Sequence, residues 1–419
     1  MFLQRLIERN PRLLEVAIEL HQSGRIPPNT WVVDLDTIAE NARALVSEAR
    51  RLGLNTYLMS KQYARNPYIS AMALAQGLNK IVAVDVQCAL LARRYGLPVG
   101  HIGHLNQIPR HMVPEMVALR PEVITVYNVE HARWIDEAAA AQAVQQDLMV
   151  RVYAPGDVFF AGQEGGVPEE QVAEVARAIG AMRNVRLIGV TSFPCVRYNP
   201  LPDDPRAALN PNAGTVLRAV ATLRDLGFEI KQINMPGNTS SMTMSMLTEA
   251  GATHVEPGHG LLGTTPNHLY MDGLPERPSY THVSEISHYV GDRAYAYGGG
   301  LFSDMKRPGF TAQALVGATW SEARGNRVEF LQDIEQVIDY HLILRPAGRC
   351  RIGDSAVFGF RPQMQMTRSY LAPVSGLSGN GQVKVHYLFD HAATALDERY
   401  NPVAPATVRR DIDALLSAS

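Results

Sequence analysis

The sequence predicts an α/β protein in which a (β/α)8 barrel is followed by a mostly β carboxyl-terminal domain. Two observations support this fold class. Between residues 37 and 263, short apolar runs alternate with helical patterns, at one unit per roughly 25 to 30 residues. Beyond about residue 275, runs of strand composition follow one another with Gly, Pro and Asp between them, and helical patterns are rare.

The apolar runs predict eight barrel strands at residues 56–60, 81–84, 99–102, 123–126, 148–152, 187–190, 230–234 and 253–255. An open doubly wound sheet is the alternative, but the Gly-x-Gly-x-x-Gly turn typical of that fold does not follow the first strand. We therefore assign residues 1–30 to an amino-terminal helical extension, 31–272 to the barrel and 273–419 to the β domain.

Composition indicates a globular protein without a nucleic-acid or membrane partner. The chain of 419 residues is 46% hydrophobic and 19% charged, and its net charge is only -2. The first 20 residues have an amphipathic helical pattern rather than that of a signal peptide. The three cysteines, Cys88, Cys195 and Cys350, are too few and too widely spaced for a disulfide framework. We expect a cytoplasmic protein.

Functional side chains of a barrel lie at the carboxyl ends of its strands. In this sequence those positions are polar: Lys61, Asp85, His104, Tyr127, Arg151, Ser192, Asn234 and Glu256. Lys61 ends the first predicted strand, Asn55-Thr-Tyr-Leu-Met-Ser-Lys61. A lysine there is either a solvated surface residue or a group that points into the site.

Two glycine-containing turns follow the seventh and eighth strands and predict a phosphate site. The first is Met235-Pro-Gly-Asn-Thr-Ser-Ser241, in which Asn238, Thr239 and Ser240 precede a helix. The second is Glu256-Pro-Gly-His-Gly260, in which Gly258, His259 and Gly260 present backbone donors. Barrels frequently bind phosphate between these two loops.

A phosphate site opposite a strand-end lysine indicates pyridoxal 5'-phosphate as the cofactor. The Lys61 amine would form a Schiff base with its aldehyde, since desolvation lowers the pKa of a buried lysine. Glu256, beside the phosphate loop, would face the pyridine nitrogen and favour its protonated form.

Four segments resemble the fold-type III pyridoxal-phosphate enzymes, which include alanine racemases and the ornithine/diaminopimelate decarboxylases. They are Trp31-Val-Val-Asp-Leu-Asp36, the Lys61 strand, Pro236-Gly-Asn-Thr-Ser-Ser241 and Glu256-Pro-Gly-His-Gly-Leu-Leu-Gly263. In detail the chain looks most similar to a bacterial branch of the alanine-racemase-like superfamily. The resemblance implies that Lys61 carries the cofactor and acts as one acid/base, and that Arg151 approaches the cofactor ring. It also implies that the two loops hold the phosphate.

The resemblance further implies a homodimer with sites at the subunit interface. Racemases of this class take a second base, a tyrosine, from the β domain of the other subunit. Tyr297, in Tyr295-Ala-Tyr-Gly-Gly-Gly300, is our candidate, and Tyr295 and Cys350 are the alternatives. We therefore predict an amino-acid racemase or epimerase with Lys61 and Tyr297 as opposed bases.

One departure from the racemase pattern favours an alternative, a decarboxylase or lyase on the same fold: Glu256 stands where alanine racemases have an arginine, as in the decarboxylases. Against decarboxylation, Cys350 lacks the acidic residue expected after it. The ring-stacking histidine that is usual after strand six is also missing, because Ser192-Phe-Pro-Cys195 occupies that stretch.

Two further hypotheses stay open from the sequence. A metal-dependent barrel hydrolase would use His101, His104, His254 and His259 as ligands. A regulatory protein that binds the cofactor without turnover would keep Lys61 but lack a second base. Substrate specificity would lie in the loops 302–308 and 361–368. Their arginines, Arg307, Arg361 and Arg368, could hold a carboxylate or phosphate of the substrate, but solvation at the surface is the expected role of each.

Overall fold

The computed structural model describes residues 2–198, 206–298, 312–331, 340–361, 368–379 and 381–418. The predicted specificity loop 302–308, with Arg307, and the interior of the loop 361–368 lie outside these residues. Within the described part of the chain, every helix is too short or too polar to cross a lipid bilayer.

The strands, in chain order, are β1 (Thr30–Asp34), β2 (Asn55–Thr56), β3 (Leu58–Met59), β4 (Ile81–Ala83), β5 (Val99–Ile102), β6 (Val123–Val126), β7 (Gln146–Tyr153), β8 (Val167–Pro168), β9 (Val185–Thr191), β10 (Val196–Tyr198), β11 (Ala207–Leu209), β12 (Gln232–Asn234), β13 (His254–Val255), β14 (Tyr280–Val290), β15 (Arg293–Tyr297), β16 (Gln313–Gly317), β17 (Arg327–Leu331), β18 (His341–Arg345), β19 (Ser355–Phe358), β20 (Tyr370–Ser375), β21 (Lys384–Val385), β22 (Leu388–Phe389) and β23 (Ala395–Leu396). The α-helices are α1 (Leu3–Arg9), α2 (Pro11–Gln22), α3 (Leu35–Leu52), α4 (Pro67–Ala75), α5 (Val86–Arg94), α6 (Val113–Ala118), α7 (Val129–Ala141), α8 (Val172–Gly180), α9 (Pro211–Asp225), α10 (Ser241–Glu249), α11 (Pro266–Tyr270), α12 (Trp320–Ala323) and α13 (Pro405–Ala418).

The parallel strands form a closed barrel, which confirms the predicted fold class. The sheet runs in the order β2-β13-β12-β9-β7-β6-β5-β4-β3. Its two end strands are consecutive parts of the segment 55–59, so the sheet closes on itself. The Tyr57 N–H donates to the carbonyl of Val255 on one side, at 2.9 Å, and the Leu58 N–H donates to the carbonyl of Lys80 on the other, also at 2.9 Å. One strand with hydrogen bonds to both neighbours therefore completes the ring of eight.

Helix α3 illustrates how the sequence begins and ends an element of the barrel. Its N-cap, Asp34, accepts hydrogen bonds from the N–H groups of Asp36 and Thr37, at 3.0 and 3.2 Å. The helix ends at Gly53, whose φ of 68° is the left-handed conformation that favours glycine. The apolar face between these caps, including Ile38, is buried in the core of the molecule.

The second sheet is largely antiparallel and runs in the order β15-β18-β17-β16-β19-β14-β1-β20-β22-β23. Strand β1 belongs to this sheet, because it pairs with β14 (Thr30 opposite Val283) and with β20 (Thr30 opposite Tyr370). This corrects the assignment of the barrel's start to residue 31. All five residues of β1 are buried, and a short, wholly buried strand carries no sequence signal that tells which sheet it joins.

The amino-terminal helices α1 and α2 complete the β domain by covering one face of its sheet. Leu13, Leu14 and Ile18 form a buried cluster with strand residues such as Val283 and Val357. A sheet needs such a cover on each face that does not meet water. The helical extension predicted for residues 1–30 is therefore part of the second domain's core.

Candidate functional site

Lys61 lies at the carboxyl end of the barrel, in a 3-10 turn (Lys61–Tyr63) that directly follows β3. Lys61 is half-buried, and its Nζ lies 5.9 Å from the centre of the Phe193 ring. Burial lowers the pKa of Lys61 below its ordinary value, against the opposing charge of Glu256. The amine is thus more readily neutral, and more nucleophilic, than that of a surface lysine.

Glu256 directly follows β13 and is 5% exposed. Among the described residues, only one of its two carboxylate oxygens, Oε1, accepts hydrogen bonds. Its Oε1 accepts from the amide of Asn234 at 2.8 Å and from Nδ1 of His101 at 3.0 Å. Burial alone would raise the pKa of Glu256, but His104, His101 and Asn234 outweigh it and keep the pKa below its ordinary value. The group is therefore an ionised carboxylate in a buried position.

The second oxygen of Glu256, Oε2, has no hydrogen-bond partner among the residues that the structure describes. Nε2 of His104 lies 3.4 Å from it without hydrogen-bond geometry. Burial lowers the pKa of His104 to about 3, so its ring is neutral at physiological pH. Oε2 is consequently an acceptor that is left open for a donor from outside this group.

Arg151, at the end of β7, is fully buried beside the same mouth. Its guanidinium donates to the Tyr127 hydroxyl at 2.6 Å and to the Gln163 carbonyl at 2.5 Å. It also lies 5.2 Å from the centre of the Tyr127 ring. The structure thus joins two of the predicted strand-end residues, Arg151 and Tyr127, in one buried contact.

The other predicted strand-end residues divide between two roles. Asn234 belongs to the Glu256 group, whereas Asp85 caps helix α5 by accepting the Cys88 N–H at 2.7 Å. Ser192 accepts a hydrogen bond from the Asn212 amide at 3.3 Å. A polar residue at the end of a strand therefore lies at the mouth of the barrel, but this position alone does not give it a role in the chemistry.

The two predicted phosphate loops lie against each other. Asn238 has a φ of 47°, which gives its loop a left-handed turn. A Cβ atom on Gly260 would overlap the carbonyl of Thr239, so only glycine permits this approach. A Cβ on Gly258 would lie 2.6 Å from Oε1 of Gln62, in the turn that carries Lys61.

Buried hydroxyls and a histidine also belong to this pair of loops. Thr239, 2% exposed, leaves its Oγ1 without a hydrogen-bond partner in the described ranges. Ser240 is fully buried at the start of α10. His259 is buried as well, with its Nδ1 3.0 Å from Oγ1 of Thr264. The loops therefore combine close backbone packing with polar side chains that are removed from water.

Arg361 was expected to be solvated, and the structure corrects that expectation. Its side chain is 7% exposed and crosses from the β domain to the phosphate loops. The guanidinium donates to Oδ1 of Asn238 at 3.3 Å and to the carbonyl of Thr264 at 3.0 Å. Surface statistics favoured solvation, and no local sequence pattern indicated that the fold would carry this cation into the barrel mouth.

Glu276 is a second residue that the sequence did not single out. It is fully buried, and its carboxylate accepts from the N–H of Ser241 at 2.7 Å and from the Ser241 hydroxyl at 2.9 Å. Arg9 of helix α1 donates to the Glu276 carbonyl at 2.8 Å. A carboxylate thus already fills the amino terminus of α10, and an anion at these loops would lie before that helix end.

Tyr297, the predicted second base, lies on strand β15 of the β domain and is 43% exposed. Its ring centre is 6.2 Å from that of His341, and the structure of this one chain does not bring it to Lys61. Tyr295 stacks on His288, with ring centres 4.7 Å apart. Cys350 is buried, which raises its thiol pKa to about 11 and makes it a poor acid/base at neutral pH.

The four histidines named as metal ligands do not form one group. His101 and His104 meet Glu256, with one potential ligand atom from each within 4.8 Å of the others. His254 instead stacks on Tyr57, with ring centres 5.5 Å apart. Both nitrogens of His101 are engaged, because Nε2 lies 2.6 Å from Oγ1 of Thr125 while Nδ1 meets Glu256. The donors therefore suit a hydrogen-bonded carboxylate better than a hydrolytic metal centre.

These residues fit pyridoxal phosphate in three respects. The open, buried Oε2 of Glu256 suits a ring N–H donor. The buried Thr239 hydroxyl and the Cβ-free surface of Gly258 and Gly260 suit a phosphate group. The lowered pKa of Lys61 suits covalent attachment through its amine.

The fold and this group of residues define an enzyme-like barrel of the alanine racemase class. Residues 33–266 match the family described as alanine racemase, N-terminal domain. Since this match spans more than half of the chain, the protein belongs to that family, whose members generally bind pyridoxal phosphate. Residues 281–384 match the YhfX-like C-terminal domain.

A curated relative covers both domains. The protein of Escherichia coli (strain K12) described as uncharacterized protein YhfX is 36% identical over 396 residues, which span 94% of this chain and 100% of the relative. The two proteins therefore share their whole architecture, including the β domain.

Solved structures share the fold at low sequence identity. D-threonine aldolase from Filomicrobium marinum aligns with a TM-score of 0.63 at 16% identity, over 87% of this chain and 95% of its own. Alanine racemase of Clostridium difficile 630 in complex with cycloserine aligns with a TM-score of 0.60 at 15% identity, over 87% and 99%. D-threo-3-hydroxyaspartate dehydratase from Delftia sp. HT23 gives 0.63 at 15% identity, over 85% and 96%.

Proposed function

We propose that this protein is a pyridoxal-phosphate-dependent amino-acid racemase or epimerase. The observation that carries the proposal is the pairing, at one barrel mouth, of Lys61 and the half-satisfied carboxylate of Glu256. When bound, the cofactor supplies an electron sink for the pair of electrons left on the substrate α-carbon. The residues of the chain would then hold the cofactor and move protons.

Lys61 has two parts in this proposal. Its amine would hold the cofactor covalently, and it would also carry the proton to or from one face of the α-carbon. Burial supports both parts, because it lowers the pKa of the amine and so raises the neutral fraction near pH 7. Phe193, 5.9 Å from Nζ, gives the lysine an apolar wall that excludes water.

Glu256 and the two loops would bind opposite ends of the cofactor. Oε2 of Glu256 would accept a hydrogen bond from the ring nitrogen, and the ionised carboxylate would keep that nitrogen protonated. The Asn238–Ser240 segment and the Gly258–Gly260 turn would hold the phosphate. Arg151, through its contact with Tyr127, would lie on the side of the ring.

Tyr297 would supply the second base from another copy of the chain. Its 43% exposure on the β domain supports this assignment, because a base that serves a neighbouring subunit must be open before assembly. Racemisation needs the two bases on opposite faces of the α-carbon. The proposed active unit is therefore a homodimer whose two sites each use residues of both copies.

Glu256 also favours a second candidate, a lyase that cleaves carbon dioxide, ammonia or an aldehyde from an amino acid. A protonated ring nitrogen is the stronger electron sink, and such a sink suits bond cleavage as well as proton exchange. Decarboxylation has the weaker support, since the buried Cys350 with its raised pKa would be a poor proton donor on the required timescale.

Proton exchange separates these candidates. The protein loaded with pyridoxal phosphate is incubated with single L- and D-amino acids in deuterated water, and the α-proton signal is followed by NMR together with optical rotation. The racemase proposal expects loss of the α-proton signal and of optical activity without other products. Release of carbon dioxide, ammonia or an aldehyde would assign the lyase, and a full panel of amino acids without α-exchange would refute the racemase.

A further inference from the structure

The hydrogen bonds of the Glu256 carboxylate are distributed unevenly, because their donors lie on the adjacent strand β12 and on the more distant strand β5. Asn234 on β12 and His101 on β5 both donate to Oε1, at 2.8 and 3.0 Å. An ionised carboxylate can only accept, so Nδ1 of His101 carries the proton in this contact. Oε2 receives no hydrogen bond from the described residues.

His101 is itself held in place from three sides. Its Nε2 lies 2.6 Å from Oγ1 of Thr125 on β6. Its ring centre lies 5.7 Å from that of Tyr57 and 5.5 Å from that of His104. The side chain is fully buried, so it has one orientation and leaves Glu256 little freedom to rotate.

We propose that His101 is a positioning residue of the active site, which clamps Oε1 of Glu256 so that Oε2 stays directed toward the cofactor nitrogen. This inference rests on the proposed function and deepens it. Thr125 supports His101 in turn, because its hydroxyl contacts Nε2 of His101, on the side of the ring opposite Glu256. Neither residue needs to touch the cofactor for this role.

The hydrogen bond from His101 orients the Glu256 carboxylate and also stabilises its buried negative charge. Among the described residues, Glu256 forms no contact with an arginine or lysine that meets the distance of a salt bridge; its ionic contacts are to His101 and His104. His101 helps to keep the pKa of Glu256 low together with His104 and Asn234, and we expect loss of its hydrogen bond to Oε1 to let burial raise that pKa. A protonated carboxyl would no longer keep the cofactor nitrogen charged.

Protein free of cofactor provides the first test, with the variants His101→Phe, Glu256→Gln and the double variant. Loss of the clamp raises the folded-state pKa of Glu256 above its unfolded value. The folded state then holds a proton that the unfolded state releases, so stability falls as pH rises. The melting temperature of His101→Phe should therefore fall, relative to that of the wild type, as pH rises through the raised pKa of Glu256, and the double variant should lose this pH dependence.

His254→Phe is the matched control. His254 is also a buried histidine of the barrel, but it hydrogen-bonds Thr253 and packs on Tyr57 rather than on Glu256. Because burial lowers the pKa of His254 to about 4, the loss of melting temperature in this variant should grow with pH up to about 6.5 and stay constant above it, so the two variants are compared above pH 6.5. If His101→Phe behaves like this control, or if the double variant keeps the pH dependence, the proposed clamp is refuted.

Protein loaded with pyridoxal phosphate provides the second test. His101→Phe should shift the pH titration of the cofactor's visible absorbance and lower kcat by about 10–100-fold, as loss of outer partners typically does, with KM nearly unchanged. Thr125→Val should move both in the same direction by less. An unchanged absorbance titration in His101→Phe would overturn the inference while leaving the proposed function intact. Failure of the wild type to bind the cofactor would instead refute the proposed function, and the cofactor-free test would still decide the role of His101.

Discussion

The two ends of the proposed site differ in how completely a single chain builds them. At the barrel mouth, Glu256 is 5% exposed and its contacts come from β5 and β12 of the same chain. On the β domain, Tyr297 is 43% exposed at the end of β15, and its ring meets His341 rather than any residue of the barrel mouth. The end proposed for the cofactor thus draws these contacts from one copy, whereas the end proposed for the second base is open.

This difference follows from the two kinds of sheet. Closing a parallel barrel brings all the strand ends to one rim, so residues far apart in sequence meet without further assembly. An antiparallel sheet has an edge and a face that a second molecule can cover. We therefore expect substitutions at the barrel mouth to act within one copy, and substitutions at Tyr297 to act between copies.

The largest effect is expected for Lys61→Ala, which removes the amine at the predicted attachment point. Turnover should fall by at least about 10³-fold, because both covalent attachment and one proton transfer are lost. Lys80→Ala is the control, since Lys80 is half-buried outside the proposed site and pairs with Glu122 at 2.7 Å. Steady-state rates of racemisation measure the effect, and a Lys61→Ala protein with more than a small fraction of wild-type turnover contradicts the assignment.

Tyr297→Phe should lower racemisation by about 10²–10⁴-fold while cofactor binding is retained. Mixing this variant with Lys61→Ala then tests whether the site is shared. If each site takes its two bases from different copies, half of the randomly mixed dimers contain one intact site, and activity should recover to about a quarter of the wild type. Equal loss without recovery would place both bases in one chain and would abolish the contrast between the two ends.

Arg361→Gln probes a buried cation that joins the β domain to the proposed phosphate loops. We expect the affinity for pyridoxal phosphate to fall by about tenfold or more, because hydrogen bonds to charged groups contribute roughly 1.5–3 kcal/mol. The affinity for pyridoxal, which lacks the phosphate, should change little. Arg345→Gln, at an exposed arginine that pairs with Glu329, is the control. Equal losses for both ligands would give Arg361 a structural role only.

The smallest expected effect is the contribution of Lys61 to the pH dependence of stability. Burial lowers the pKa of Lys61 in the folded protein, so the unfolded chain binds more protons between that value and the ordinary lysine pKa. Stability from this group therefore rises with pH across that window. Lys61→Met should flatten the rise in cofactor-free protein, as measured by urea unfolding at several pH values. An unchanged slope would mean that Lys61 is solvated.

Much of the barrel could be predicted because its signals are local. Each strand is a short apolar run, each helix has a periodic apolar face, and the strand ends then follow from the architecture. This reasoning placed Lys61 and Glu256 at the carboxyl end of the barrel and predicted that the two loops meet, as they do in the structure. It also named His101 and His104, although as metal ligands rather than as partners of Glu256.

The remainder depends on contacts between distant segments, which no local pattern encodes. Strand β1 joins the antiparallel sheet through partners some 250 and 340 residues away. Arg361 and Glu276 look like ordinary surface residues in sequence, and only the packing of the β domain and helix α1 against the barrel buries them. Residues of this kind are recognised when the fold is known, since burial of a charge is the signal.

Attachment of the cofactor is the most direct test of the central claim. The chain has only five lysines: Lys61, Lys80, Lys231, Lys306 and Lys384. Purified protein is incubated with pyridoxal phosphate, reduced with borohydride and analysed by peptide mass mapping. The account predicts a visible absorbance band that borohydride bleaches and a single modified peptide that contains Lys61. A protein that gains no such band, or that carries the label on another lysine instead, would contradict it.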